Sequence, residues 1–89
     1  PTIKLRGKAL YNVTIDWEEQ SGVDGYQVYM SVNGRKFTKL ATVGTFPRLY
    51  MAENLTTDQN TDKFRIRGYV KPVGKKTLYS KWSNTITVK

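Results

Sequence analysis

Arg65, Arg67 and Tyr69 occupy alternate positions in Lys63-Phe64-Arg65-Ile66-Arg67-Gly68-Tyr69-Val70, a spacing that puts all three on one face of a β-strand. Two guanidinium groups beside an aromatic ring suit an anionic polymer, drawn in by charge and held by stacking. Tyr29 and Gln27, spaced the same way in Tyr26-Gln27-Val28-Tyr29-Met30, would face them from a neighbouring strand. A second cationic feature is the turn Lys71-Pro72-Val73-Gly74-Lys75-Lys76, a protruding tip suited to phosphate or sulfate. Each has a plainer account, which carries more weight: a solvated face where Arg stems cover Tyr rings, and lysines that protect a strand edge.

Other chemistry is thinly represented. Asp16, Glu18, Glu19 and Asp24 lie close together, but without the spacing of a calcium loop, and so small a domain gives two opposed carboxylates no cleft. They read as a solvated acidic loop. Trp17 and Trp82 could be sugar-stacking platforms; Trp17 falls on an apolar strand face and reads as core, and packing is also favoured for Trp82. With 0 Cys and 0 His, the chain offers no disulfide, thiolate nucleophile, imidazole base or usual zinc set. The expectation is a protein that is not an enzyme, with no catalytic residues, metal or cofactor. Asn12-Val13-Thr14 and Asn54-Leu55-Thr56 are glycosylation acceptor triplets, which also arise readily by chance.

Eighty-nine residues suffice for one domain, 1–89. The net charge of +8 is unevenly spread, since Lys63, Arg65, Arg67, Lys71, Lys75, Lys76, Lys81 and Lys89 are unaccompanied by any acid from position 63 onward. Such a strip favours anionic glycans, acidic proteins or, less so, nucleic acid. No apolar run approaches the roughly 20 residues that span a bilayer, so no membrane insertion is expected. The start at Pro1 suggests excision from a longer polypeptide, which would make neighbouring domains its first partners.

These residues need a β scaffold. Val13, Ile15 and Trp17 alternate inward on one strand, after a short first strand carrying Ile3 and Leu5. Residues 18–25 read as a loop. Tyr26, Val28 and Met30 then point inward, with Gln27, Tyr29 and Ser31 outward, and Asn33-Gly34 signals a hairpin. The return strand spans about 36–43 with Phe37 and Leu40 as anchors, and a short strand carries Leu49 and Met51, with Leu55 in the core. The polar run 56–62 reads as a loop. Phe64, Ile66, Gly68 and Val70 face inward on the next strand, and Ile86 and Val88 on the last. Seven short strands and no helix point to an all-β, seven-stranded antiparallel immunoglobulin-like sandwich; the alternative, a small closed barrel, needs fewer, longer strands with bulge glycines, of which only Gly68 is a candidate.

The order of landmarks resembles a fibronectin type III domain over nearly the whole chain. Pro1 with Leu5 resembles that family's first strand, Val13-x-Ile15-x-Trp17 its second, Gly25-Tyr26-x-Val28-Tyr29 its third, and Tyr79-Ser80-x-Trp82-Ser83 its last-strand signature. Phe64 stands where the family carries its corner tyrosine, and no Arg-Gly-Asp occurs in the 72–76 turn. The stretches 25–30 and 37–41 look more like modules of bacterial surface and secreted enzymes or phage structural proteins. The resemblance implies fibronectin type III topology and an accessory, spacer or contact module of an extracellular, cell-surface or virion protein.

Overall fold

The computed structural model describes residues 2–9, 12–18, 20–32, 34–46, 48–52 and 62–88. Its strands are β1 (Ile3–Ala9), β2 (Asn12–Trp17), β3 (Gly25–Val32), β4 (Thr38–Val43), β5 (Leu49–Ala52), β6 (Asp62–Val70), β7 (Leu78–Tyr79) and β8 (Ile86–Val88). One sheet has the order β1-β2-β5; in the other, β3 lies between β4 and β6, while β7 and β8 both pair with β6. The expected seventh strand is therefore a strand broken in two. All pairings are antiparallel, which fits short strands with one solvated face.

Apolar residues at alternate positions meet between the sheets: Ile3, Val13, Ile15 and Trp17 from one side, Tyr26, Val28, Phe64, Ile66 and Val88 from the other, with Ala52. Each fully buried Ile or Val contributes about 1.5–3 kcal/mol relative to exposure. Trp17 meets Tyr26 edge to face at 5.4 Å between centroids. Tyr26 is fully buried, and its hydroxyl accepts the Gln20 amide at 2.9 Å, which satisfies that polar tip. Phe64 is buried as a hydrocarbon ring at the corner position.

Several expectations need correction. Leu5 is 46% exposed although it pairs with buried Ile15; it lies on an edge strand, whose register then slips between Leu5 and Gly7. On β5 the inward phase belongs to Tyr50 and Ala52, opposite Ile15 and Val13, and leaves Met51 exposed. Ser31 is on the outer face as its phase required, opposite Lys63, yet buried there, its hydroxyl donating to the Arg35 carbonyl. Phe37 precedes β4 and is no core anchor. The register shifts opposite Val28 and Tyr29, so that Lys39 pairs with outward-facing Tyr29, and Phe37 shares its parity. Asp62, assigned to a loop, begins β6 and is buried. Leu55, the remainder of that loop, Glu19 and the Asn54 triplet lie outside the described residues.

Candidate functional site

On the outer face of the larger sheet, register sets Arg65 beside Tyr29 and Arg67 beside Gln27. Arg67 Nε donates to Gln27 Oε1 at 2.9 Å, and Nη2 donates to the Tyr29 hydroxyl at 3.3 Å. The main contacts of both guanidinium groups are aromatic. Arg65 lies 4.1 Å from the Phe37 ring centroid and 4.0 Å from that of Trp82. Arg67 lies 4.6 Å from Trp82, 3.7 Å from Tyr79 and 5.4 Å from Tyr29. The result is an alternating stack, Phe37–Arg65–Trp82–Arg67–Tyr79, braced by an edge-to-face contact of Tyr29 with Trp82 at 4.9 Å.

The break between β7 and β8 puts Trp82 there. Ser80 and Ser83 hold residues 80–83 against β6: the Ser80 amide donates to the Gly68 carbonyl at 3.0 Å, and its Oγ accepts the Gly68 amide at 2.8 Å. Ser83 repeats the exchange with Ile66, both bonds measuring 2.8 Å. Each Oγ donates onward, to the Lys81 and Asn84 carbonyls respectively. Two serines three positions apart thus satisfy β6 residues two positions apart. The extra residue turns Trp82 onto the outer face between the arginines. Asn84 then ties this segment to β1, accepting the Ile3 amide at 2.8 Å and donating to its carbonyl at 3.2 Å.

The expected site is assembled only in part. Arg65, Arg67 and Tyr29 come together as the strand alternation required, but Tyr69 packs over Gly25, where a Cβ would lie 2.8 Å from the Tyr69 hydroxyl. Lys75 and Lys76 are exposed on a turn beyond the end of β6, outside the stack. Phe37, Tyr79 and Trp82 are the members that sequence reasoning missed. The serine-aromatic spacing in 79–83 carried the signal, as a broken strand rather than an alternating one. Trp82 is half-buried on the outer face of the sheet.

No acid neutralises Arg65 or Arg67 among the described residues; the ion pair found there joins exposed Arg6 to half-buried Asp16 at 3.8 Å. Rings flank both guanidinium groups; Arg67 Nε and Nη2 are bonded to Gln27 and Tyr29, and Arg65 Nε is buried. Asp24 has a structural task, since its Oδ2 accepts the Lys71 amide at 2.7 Å and its own amide donates to the Tyr69 carbonyl at 2.8 Å. Among the described residues no three His, Cys, Asp or Glu side chains are grouped to hold a metal. A depression of about 370 Å³ is lined by Met30, Val32, Arg35, Lys36 and Thr38, with no carboxylate to act as a base.

No protein-family model matches the chain, and no curated protein matches it. A solved structure described as "Myokine structure" superposes with a TM-score of 0.74 over 98% of this chain and 89% of that one, at 14% identity. Pectate lyase PelI from Erwinia chrysanthemi, in complex with tetragalacturonic acid, gives 0.70 over 97% of this chain at 16% identity. This chain spans 27% of the lyase's length. At such identities the likeness shows the fold alone, and that fold is an all-β sandwich of the fibronectin type III kind.

Proposed function

We propose that this domain is a non-catalytic accessory module of a larger extracellular, cell-surface or virion protein, and that its main task is to space or support neighbouring domains. The observation that carries this reading is the stack on the large sheet. Arg65 and Arg67, the residues best suited to seize an anion, are held between rings that fasten the broken last strand to β6. Side chains spent in this way stiffen a strut. Likeness to about a quarter of a lyase chain adds support, because there a sandwich-sized stretch is part of a longer polypeptide.

A second reading keeps the sheet face as a contact for anionic glycan, acidic protein or nucleic acid. The net charge of +8 and the absence of an acid paired with Arg65 or Arg67 among the described residues favour it. Titration of the domain with heparin, DNA and polygalacturonate at low salt separates the two readings. The spacer reading expects no saturable micromolar affinity that perturbs Arg65 or Arg67. A defined glycan bound at micromolar, salt-sensitive affinity through those residues would replace it. Direct observation of the arginines is preferable to their replacement by Glu, which would dismantle the stack as well as any site.

A further inference from the structure

We infer that the end of the sandwich formed by residues 44–46, Arg48 and residues 71–77 docks on an anionic lipid surface. The register places both segments at one end. Val43 pairs with Tyr26, Gly25 with Tyr69, and Tyr69 with Tyr79, so β4 leaves and β7 enters in neighbouring rows of one sheet. Three strand spacings separate β4 from β7, about 14 Å. Beyond those rows Val73 is 100% exposed at the tip of one segment and Phe46 is 79% exposed on the other, with Leu78 exposed beside the first.

Cations surround these apolar tips: Lys71, Lys75 and Lys76 on the turn, and Arg48 lying 5.8 Å from the Phe46 ring centroid. The acids of the described 18–24 segment are Glu18, which is exposed, and Asp24, whose carboxylate is engaged with the Lys71 amide. Both acids keep their charge, and the four cations outnumber them among the described residues of this end. A soluble polyanion would use the lysines and gain nothing from Val73 or Phe46. Two apolar tips a sheet's width apart, ringed by lysines, fit a broad deformable partner that is negative at its surface and apolar beneath. The docking is peripheral: no helix among the described residues is long and apolar enough to cross a membrane.

Co-sedimentation of the 89-residue chain with vesicles of phosphatidylglycerol and phosphatidylcholine tests the inference. Expected are salt-sensitive binding, much weaker association with phosphatidylcholine alone, and at least tenfold weakening by Val73→Asp and by Phe46→Asp. Val73→Ser, at a fully exposed position that folding does not use, gives an intermediate loss, and thermal unfolding verifies that each variant is folded. Lys75→Ala with Lys76→Ala weakens binding and reduces its salt dependence. Absence of binding to phosphatidylglycerol vesicles at low salt overturns the inference. So does binding indifferent to both apolar positions and fully displaced by heparin, an outcome that assigns this end to soluble polyanions.

Discussion

Replacing Arg67 by Ala probes the stack at its most connected member. The substitution removes contacts with Tyr79 and Trp82 at 3.7 and 4.6 Å, a longer one to Tyr29, and the Nε bond to Gln27. Cation–π contacts contribute about 0.5–1 kcal/mol each when exposed and about 2 when desolvated, and a side-chain hydrogen bond about 1. Allowing for shared partners, we expect a loss of about 2–4 kcal/mol, against a total stability of about 5–15 kcal/mol for a domain. For this size that corresponds to a fall in melting temperature of roughly 10–20 °C, measured by circular dichroism with tryptophan fluorescence. Arg67→Lys keeps the charge but lacks the planar face and fork, so it should recover less than half of the loss. The control is Arg6→Ala, which breaks only a partly exposed 3.8 Å ion pair and should shift stability by no more than about 0.5 kcal/mol. If Arg67→Ala matches that control, the stack contributes nothing to holding the last strand.

Three further outcomes follow from the same geometry. Ser83→Ala leaves the buried Ile66 amide without its acceptor and should cost about 1–3 kcal/mol in denaturant unfolding. Gly25→Ala should cost more than Gly68→Ala, about 3 kcal/mol against about 1–2. The added Cβ at Gly25 meets the Val43 carbonyl oxygen, which is backbone, whereas at Gly68 it meets Val23 and Gln20 side chains that can shift. Burial raises the Asp62 pKa above its ordinary 3.8, so the proton is held more tightly in the folded state than in the unfolded one. The stabilising contribution is complete below the ordinary value and lost as pH rises through the raised one. Asp62→Asn should therefore flatten the pH dependence of unfolding over that range and raise stability near pH 7 relative to the parent.

Strand identity was legible wherever period-two alternation met β-branched or aromatic residues, as in Val13-Thr14-Ile15-Asp16-Trp17 and 64–70. It failed where one irregular residue changes the phase. The slip opposite Tyr29 moves Phe37 off the core, because a strand offset by one residue presents its opposite face; Leu5 keeps its pairing with Ile15 but sits on the edge strand, where alternation does not ensure cover. The arginine face was legible for the same reason that β6 was. Its aromatic partners were not, because Phe37 depends on the shifted register and Trp82 on paired serine bonds to another strand. Ser31 keeps the outer-face phase of Tyr29 and Arg65, but alternation cannot foresee that it is covered and bonded to the Arg35 carbonyl.

The central claim is that Arg65 and Arg67 are fastened between aromatic rings as part of a structural module, leaving the sheet face without a working anion site. The most direct measurement follows the arginine Nε–Hε resonances of the isolated domain by NMR while a heparin oligosaccharide is added at low salt. The account predicts that Arg65 and Arg67 keep shifts strongly displaced by ring currents and do not respond, while any perturbation is confined to Lys71, Lys75, Lys76 and their neighbours. Saturable movement of both arginine resonances at micromolar ligand would contradict it and establish the face as a binding site.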